Sequence, residues 1–202
     1  NSGGSRLWIL NHYAALPAES TGTRHYDLAR ALIPLGWHTT LFAASATHLC
    51  PPRPMPAGTL RRFEDIDGVR FVWVRTLPSG HSRAKRVLNE LLYTYRCLKA
   101  ASGLEAPRVV MGSSAHLFAG LAAWRLARRH GVPFVFEVRD LWPETLVQLG
   151  RMDRTHPFVV VLRRVEGFLY RSADHVVTLL PGAARHIAAA GGDSRRITFL
   201  PN

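Results

Sequence analysis

The sequence contains only two cysteines in 202 residues, Cys50 and Cys97, and they do not form a CxxC pair. This is too few for a disulfide framework or a cysteine zinc site, so two reduced thiols are predicted. No apolar run reaches the roughly 18 residues that cross a bilayer. No HExxH pattern occurs among the ten histidines, which argues against the zinc-protease class.

Acidic residues are scarce, with 14 Asp and Glu against 26 Lys and Arg, and the net charge is +12. Such a charge favours an anionic partner, such as nucleic acid, an anionic membrane surface or phosphates, without choosing among them. The apolar content of 47% indicates a globular protein that is long enough for one large α/β domain or two small ones. Residues 1–5 are interpreted as a tag remnant or disordered terminus outside the fold.

The glycine-rich signatures of common α/β proteins are also missing. The first predicted strand leads into NHYAALPAESTGT, which has one glycine instead of the GxGxxG of dinucleotide-binding proteins. There is no GxxxxGK[ST] sequence and no GxSxG sequence. These absences argue against NAD binding, P-loop NTPase activity and α/β-hydrolase chemistry.

What is present is an alternation of strand and helix patterns. Short apolar runs predict strands at 6–10, 38–44, 108–112, 134–138, 175–180 and 196–200, with a hairpin over 60–76 around the turn IDGV. Helical spacing of apolar residues predicts helices at 21–36, 82–101, 116–130, 157–171 and 182–190. This order predicts an α/β fold with a Rossmann-like, doubly wound parallel sheet.

Polar residues follow three of the predicted strands. Thr21, Gly22 and Thr23 open the first helix, where free N–H groups and the positive dipole end suit a phosphate. Ser113, Ser114 and His116 follow the strand RVVMG and suit hydrogen bonds to sugar hydroxyls or proton handling. The alternatives are an ordinary capped helix in the first case, and a serine N-cap with a solvent-facing histidine in the second.

The third group lies in FEVRDLWPE, where Arg139, Asp140 and Glu144 follow a buried strand. Alternative interpretations are an Arg139–Asp140 ion pair, a helix cap by Asp140, and Glu144 as an acidic residue in a first helical turn. Glu137 is most simply a strand residue. Because parallel strands end at one edge of a sheet, we expect the three groups to converge there, where ligands bind in this architecture.

The predicted helix at 82–101 combines an apolar stripe with basic residues that include Arg83, Lys85 and Arg86. The stripe comprises Val87, Leu88, Leu91, Leu92, Tyr95 and Leu98. Such a helix either packs the stripe against the core, with a solvated basic face, or lies on an anionic membrane.

The motifs ILNHY…TGTRHYDLARALIPLGWHTTLFAA, GVPFVFEVRDLWPE, YRSADHVVTLLPGAARHI and RITFLPN resemble the bacterial family 4 glycosyltransferases of O-antigen, capsule and exopolysaccharide synthesis. The resemblance extends over nearly the whole chain from Arg6. It implies a retaining, metal-independent enzyme of GT-B fold, in which residues 6–202 form the N-terminal, acceptor-side domain. The donor-binding C-terminal domain would lie outside this chain, and the fragment alone is expected to be inactive.

By this resemblance, Thr21, Gly22 and Thr23 lie near the donor phosphates, and Thr21 replaces the first glycine of a Gly-Gly pair usual in relatives. Ser113, Ser114 and His116 fall where relatives contact the donor sugar. Arg139 and Asp140 fall where many relatives have His-Asp facing the acceptor. Because arginine stays protonated, Arg139 is a poor proton-transfer group, and Asp140 is the stronger catalytic candidate, with His116 as the second.

The resemblance further implies a nucleotide-sugar donor, a polyprenyl-diphosphate-linked glycan acceptor, no metal or other cofactor, and no nucleic acid partner. It implies a cytoplasmic enzyme, peripheral at the inner face of the bacterial plasma membrane. Two other functions stay open. One is a GT-B-like sugar-nucleotide epimerase, and the other is a basic Rossmann-like module that binds anionic lipid or nucleic acid.

Overall fold

The structure is a computed structural model that describes residues 4–17, 23–49, 52–78 and 82–202, with Arg83 described by its backbone alone. Within these ranges eight strands form one sheet: β1 (Ser5–Leu10), β2 (Trp37–Ala44), β3 (Arg61–Ile66), β4 (Val69–Val74), β5 (Val109–Ser113), β6 (Phe134–Val138), β7 (His175–Thr178) and β8 (Ile197–Phe199). The α-helices of the same ranges are α1 (Arg24–Leu32), α2 (Arg83–Ala100), α3 (Leu117–His130), α4 (Glu144–Gln148), α5 (Pro157–Ser172) and α6 (Ala183–Ala189). Short 3₁₀ turns at Ile33–Leu35 and Ser194–Arg196 precede β2 and β8.

The strands lie in the order β3-β4-β2-β1-β5-β6-β7-β8, and every neighbouring pair is parallel except the antiparallel hairpin β3–β4. The predicted Rossmann-like, doubly wound sheet is therefore confirmed. From β1 the chain proceeds outward to β2 on one side and returns to β5 on the other. In such sheets ligands bind at this switch point, outside the carboxyl ends of the strands.

Alternation along the strands divides the core between the two faces of the sheet. Trp8 and Leu10 of β1 join the larger cluster with residues of α2, α3, α5 and α6, whereas Leu7 and Ile9 face the smaller cluster with Tyr26 and Ala29 of α1. Successive strand residues point to opposite faces, so strands covered on both sides read as continuous apolar runs.

The predicted hairpin turn is confirmed at Asp67 and Gly68, which both have positive φ, 49° and 82°. A two-residue turn with positive φ at both positions matches the right-handed twist of the flanking strands. The β3–β4 ladder pairs Ile66 with Val69 next to this turn.

The core-facing interpretation of the apolar stripe on α2 is wrong for Leu88, Leu91 and Tyr95, which are 58%, 44% and 55% exposed. The buried face of the helix instead carries Asn89, Tyr93, Cys97 and Ala100. Hydrogen bonds of polar residues on this buried face explain the orientation of the helix. The Tyr93 hydroxyl donates to the carbonyl oxygen of Phe42 (2.8 Å). The Asn89 side-chain amide donates to the carbonyl oxygen of Ala46 (3.0 Å) and accepts the main-chain N–H of Leu77 (2.9 Å). These bonds to neighbouring loops and strands fix the rotation of the helix and leave part of the stripe outside.

Helix length and apolarity also bear on membrane spanning. Over the described parts of the chain, no helix combines the length and the apolarity needed to cross a bilayer.

Candidate active site at the carboxyl edge of the sheet

A buried polar chain links the end of β1 to α1 and β6. The main-chain N–H of Tyr13 donates to Asn11 Oδ1 (3.1 Å), so the Asn11 Nδ2 group donates to His25 Nδ1 (2.8 Å). His25 Nδ1 therefore carries no proton, and the ring donates its Nε2–H to Glu137 Oε2 at 2.6 Å. These bonds assign His25 a single tautomer and hold the first turn of α1 against the end of β6.

Glu137 is fully buried, and its second oxygen, Oε1, accepts a hydrogen bond from Arg24 Nε at 2.9 Å. Burial opposes its charged form, but the electrostatic interaction and hydrogen bond with His25 and the hydrogen bond from Arg24 outweigh burial. They lower the pKa of Glu137 to about 2. The Ser113 hydroxyl acts in the same direction, although its contact with the carboxylate does not meet full hydrogen-bond geometry. Glu137 is thus an ionised anchor and not a plain strand residue.

Arg24 also holds the segment after β8. Its Nη1 donates to the carbonyl oxygen of Pro201 (2.8 Å) and to Asn202 Oδ1 (3.2 Å), and its Nη2 donates to the carbonyl oxygen of Leu200 (2.9 Å). Together with the Nε bond to Glu137, these bonds use four of the five guanidinium N–H donors. Arg24 is therefore a structural link between α1, β6 and the last described residues.

His12 and His116 form a second buried pair where β1 and β5 end. His116 is the N-cap of α3, and its Nδ1 accepts the N–H of Ala119 at 3.2 Å. Its proton therefore resides on Nε2, which donates to His12 Nδ1 at 2.9 Å. Burial lowers the pKa of His12 to about 3 and holds the pKa of His116 well below its ordinary value, so both rings are neutral.

This pairing occupies both ring nitrogens of His116. The helix cap anticipated in the sequence is present, but it is made by a buried His116 and not by a serine beside an exposed histidine. With Nδ1 accepting and Nε2 donating, His116 offers no free nitrogen to take a proton from a ligand.

Ser113 and Ser114 are fully buried at the end of β5. The Ser114 hydroxyl accepts the main-chain N–H of Arg139 (2.8 Å), and the Ser114 N–H donates to the carbonyl oxygen of Glu137 (2.8 Å). Ser114 thus aligns the chain that leaves β6.

A cavity of about 430 Å³ opens beside this edge. Its lining comprises Tyr13, His48, Leu49, Arg86, Val87, Glu90, Ala115, His116, Leu117, Phe118, Arg139, Asp140, Trp142, Leu146, Arg151, Met152, Phe158 and Leu162. The size is that of a small-molecule pocket, with an apolar wall and a few convergent polar groups. Of the residues predicted for the site, His116, Arg139 and Asp140 meet here, joined by Arg86.

Asp140 is exposed at the cavity and does not cap α4, whose N-cap is Pro143. Across the described residues, no ion pair joins Arg139 to Asp140 within 4.0 Å, so the structural ion-pair interpretation is wrong. Glu144 begins α4 as expected but points away, and its carboxylate binds Arg154 (2.8 Å) and Arg163 (3.3 Å) on a second concave surface.

Two residues that line the cavity, Tyr13 and Glu90, were not predicted as site residues from the sequence. The Tyr13 hydroxyl donates to Glu90 Oε1 at 3.1 Å, and burial raises the pKa of Glu90 to about 7 against the opposing effects of Tyr13 and Arg86. The available signal was that Glu90 is the one acidic residue in the sequence of α2. In the sequence alone, a single carboxylate on a basic helix indicates only a partial neutralisation of the helix charge, and its burial in a cavity is evident only from the structure.

The predicted donor-phosphate group is described in part. Thr21 and Gly22 lie outside the described residues. Thr23 is the N-cap residue of α1 and makes no side-chain cap, because its hydroxyl donates to Asp27 Oδ2 at 2.5 Å. Among the predicted membrane-surface residues, Lys85 is exposed, Arg86 lines the cavity, and the side chain of Arg83 lies outside the described atoms.

In the described ranges, no group of three or more His, Cys, Asp or Glu side chains is placed to hold a metal ion.

The solved structures similar to this chain include three of Alr3699/HepE from Anabaena. Its complex with UDP and glucose has 10% identity and a TM-score of 0.53, covering 98% of this chain and 44% of that one. The complexes with UDP-glucose and with UDP each have 13% identity, with TM-scores of 0.54 and 0.51 and the same 98% coverage of this chain, against 43% and 44% of theirs. At these identities the likeness shows the fold alone, that of a GT-B-type domain, and this chain spans less than half the length of those proteins.

A search of curated proteins finds no match. The sequence pattern of the glycosyl transferase 4-like domain, in contrast, matches residues 21–202, which is most of the chain and includes every strand except β1. The chain therefore belongs to the glycosyl transferase 4-like domain family.

Proposed function

We propose that this chain is the acceptor-side domain of a retaining glycosyltransferase that moves a sugar from a nucleotide-sugar donor to a lipid-linked glycan in bacterial surface-polysaccharide synthesis. The donor domain of the proposal lies outside these 202 residues. The observation that carries the proposal is the cavity at the switch point of the sheet, where Asp140 and Arg139 face an apolar wall. A glycan with a hydrophobic anchor needs both kinds of surface.

The nucleotide-sugar donor is supported by the family and by the neighbours, which were solved with UDP and UDP-glucose. In the transfer, the bond between the anomeric carbon and the diphosphate breaks, and the diphosphate leaves with the electron pair. A bond forms from the acceptor oxygen to that carbon, and the acceptor proton passes to an oxygen of the leaving group. The protein must align these atoms and stabilise the developing charge.

Asp140 is the proposed aligning group for the acceptor. It is exposed at the cavity mouth, unlike Ser113 and Ser114, whose side chains are buried. Its carboxylate can accept a hydrogen bond from the acceptor hydroxyl and fix the direction of attack. His116 lies in the cavity wall and aligns α3. Its role in the proposal is limited to this, because both of its ring nitrogens are already hydrogen-bonded.

Membrane association forms part of the proposal and is supported by α2. Leu88, Leu91 and Tyr95 are exposed on the same side of the helix as Lys85 and Lys99, and Lys99 Nζ lies 4.7 Å from the Tyr95 ring centroid. An exposed apolar stripe flanked by lysines suits the interface of an anionic bilayer. Since the cavity is lined by Arg86, Val87 and Glu90 of the same helix, an acceptor anchored in that bilayer would lie close to it.

The test uses the full-length gene product, a panel of nucleotide sugars and a polyprenyl-diphosphate-linked acceptor, with mass spectrometry of the lipid product. We expect sugar transfer, and a loss of about a hundredfold in kcat for Asp140→Asn. Asp65→Asn, on the far edge strand β3, is the matched control and should retain activity. Conversion of the nucleotide sugar to an epimer without any acceptor would overturn the proposal in favour of an epimerase, and unchanged kcat in Asp140→Asn would remove Asp140 from its role.

A further inference from the structure

Three arginines converge on the cavity from different elements. Arg86 comes from α2, Arg139 follows β6, and Arg151 follows α4. None of them has a carboxylate within 4.0 Å in the part of the chain that the structure describes. By contrast, Arg24, Arg62, Arg70, Arg154, Arg163 and Arg195 each have such a partner.

Guanidinium groups that share a concave surface without carboxylate partners attract anions, because their charges add and the walls exclude water. Their planar donors match the oxygen spacing of phosphate groups. The cavity thus has the charge and the donors for a phosphate or diphosphate.

The rest of the lining defines the other half of the ligand. Phe118, Trp142, Met152, Phe158 and Leu162 form an apolar wall, joined by Leu146. A free inorganic phosphate would leave this wall in contact with water, whereas an amphiphile with a phosphate head would cover it. Burial of apolar surface stabilises such a complex by about 25 cal/mol per Å².

Two carboxyl groups share the cavity with the arginines, Asp140 on the side of β6 and Glu90 on α2. Glu90 lies one turn after Arg86, and Tyr13 donates to its Oε1. The other titratable groups that face this cavity are His48, His116, Arg139 and Arg151. Of these, His116 is neutral for the reasons given above.

We propose that the cavity binds the phosphate head of an amphiphile through Arg86, Arg139 and Arg151, and that the Glu90 carboxyl takes up a proton when that anion binds. This binding site deepens the proposed function. It rests on that function only where the amphiphile is identified with the lipid-linked acceptor. An ionised Glu90 repels the incoming anion, whereas the protonated carboxyl is neutral and can donate a hydrogen bond to it. Because burial already brings the pKa of Glu90 to about 7, the uptake occurs near neutral pH.

The experiment measures farnesyl diphosphate binding to this chain by calorimetry between pH 5.5 and 8.5, in buffers of different ionisation enthalpy. We expect close to one proton taken up per bound ligand above pH 7. The dissociation constant should rise relative to that of Glu90→Gln by about tenfold per pH unit in that range, as linkage to one proton requires. Glu90→Gln reports the ionisation of the probe itself, and Glu105→Gln, an exposed residue paired with Arg6, should behave as wild type.

Further arms test the two halves of the site. Arg151→Gln should weaken binding about tenfold or more, whereas Arg125→Gln, on the exposed face of α3, should not. Inorganic diphosphate and farnesol should each bind more weakly than farnesyl diphosphate. Equal binding of inorganic diphosphate would overturn the amphiphile assignment, and equal binding of farnesol with no effect of Arg151→Gln would overturn the anion site.

Tyr13→Phe provides a second readout should Glu90→Gln fail to fold. Loss of the Tyr13 hydrogen bond removes an interaction that lowers the pKa of Glu90, so the pH at which binding weakens should move upward. Parallel pH dependence in wild type, Tyr13→Phe and any folded Glu90 variant would refute the proton uptake. Sugar transfer by the full-length protein is scored separately, so a chain that binds the probe as expected without sugar transfer overturns the proposed function and leaves this site standing.

Discussion

Glu137 shows how a charge can be retained inside a parallel sheet. Both of its oxygens are bonded, one to Arg24 and one to His25, and Asn11 fixes the remaining nitrogen of that histidine. Buried charges are tolerated only when they are paired and hydrogen-bonded. Glu137 therefore works as a junction of α1, β1 and β6 behind the site.

Replacement of Glu137 by Gln should destabilise the fold by about 3–5 kcal/mol at neutral pH, because the change leaves the buried end of Arg24 without its counter-charge. The measurement is urea unfolding followed by circular dichroism. Asp65→Asn, which breaks the exposed pair with Arg70, is the matched control and should cost less than about 1 kcal/mol.

The same variant has a defined pH signature. The pKa of Glu137 is about 2 in the folded chain against an ordinary 4.5, so its stabilisation is complete above pH 4.5 and is lost as pH falls through 2. The stability difference between wild type and Glu137→Gln should therefore shrink across this window. A difference that stays constant from pH 5 to pH 2 would contradict the ionised assignment.

At the scale of elements, α2 serves two surfaces. Its inner face is fixed by Asn89 and Tyr93 and packs on the sheet and on α3, while its flank lines the cavity through Arg86 and Glu90. Its outer face leaves Leu88 and Leu91 largely in solvent. A helix that has an exposed apolar face and a flank lining a cavity can connect a membrane surface to a binding cavity.

The double variant Leu88→Gln/Leu91→Gln should bind vesicles containing phosphatidylglycerol about thirtyfold more weakly than wild type, because each exposed leucine would lose roughly 1 kcal/mol of interfacial burial. Co-sedimentation with vesicles measures this, and thermal unfolding should be unchanged since neither side chain is in the core. Leu35→Gln, which changes a leucine that is 71% exposed and lies next to α1, is the control and should bind as wild type. Equal binding by all three proteins, or none by wild type, would refute the membrane surface.

At the scale of the whole molecule, Arg24 connects the first helix with the end of the described chain. Its guanidinium donates hydrogen bonds to Leu200, Pro201 and Asn202, and the Leu200 N–H donates to the Thr178 carbonyl oxygen. Movement of residues 200–202 is thus coupled to the turn that opens α1.

Arg24→Gln should release residues 200–202, and the Leu200 amide, which donates to the Thr178 carbonyl oxygen, should exchange hydrogen at least about tenfold faster, because local opening becomes easier when such bonds are lost. Hydrogen–deuterium exchange on peptides from residues 190–202 measures this. Arg195→Gln, which breaks an exposed pair with Asp193 in the same region, should leave the exchange of 200–202 unchanged. Slow exchange in Arg24→Gln would show that the segment is held without the arginine.

Much of the architecture could be predicted because its signals are local. The runs FVFEV and HVVTLL specify buried parallel strands, and the turn IDGV specifies the hairpin. Strand polarity then brought His116, Arg139 and Asp140 to one edge. What could not be predicted was the rotation of each helix and the partner of each polar group. Glu144 was predicted to line the site but pairs with Arg154 and Arg163 outside the cavity, whereas Glu90 was not predicted there and lines it.

The sequence by itself determined the fold class, the hairpin and the sheet edge at which polar residues gather, since hydrophobic periodicity and turn chemistry act over a few residues. Only the tertiary structure decided what those residues do there. In the folded chain both nitrogens of His116 are hydrogen-bonded, and Glu137 is ionised between Arg24 and His25. Burial raises the pKa of Glu90 to about 7, beside three arginines that have no carboxylate within 4.0 Å among the described residues. Protonation and pairing depend on burial and on partners distant in the chain, and these exist only once the helices have packed on the sheet.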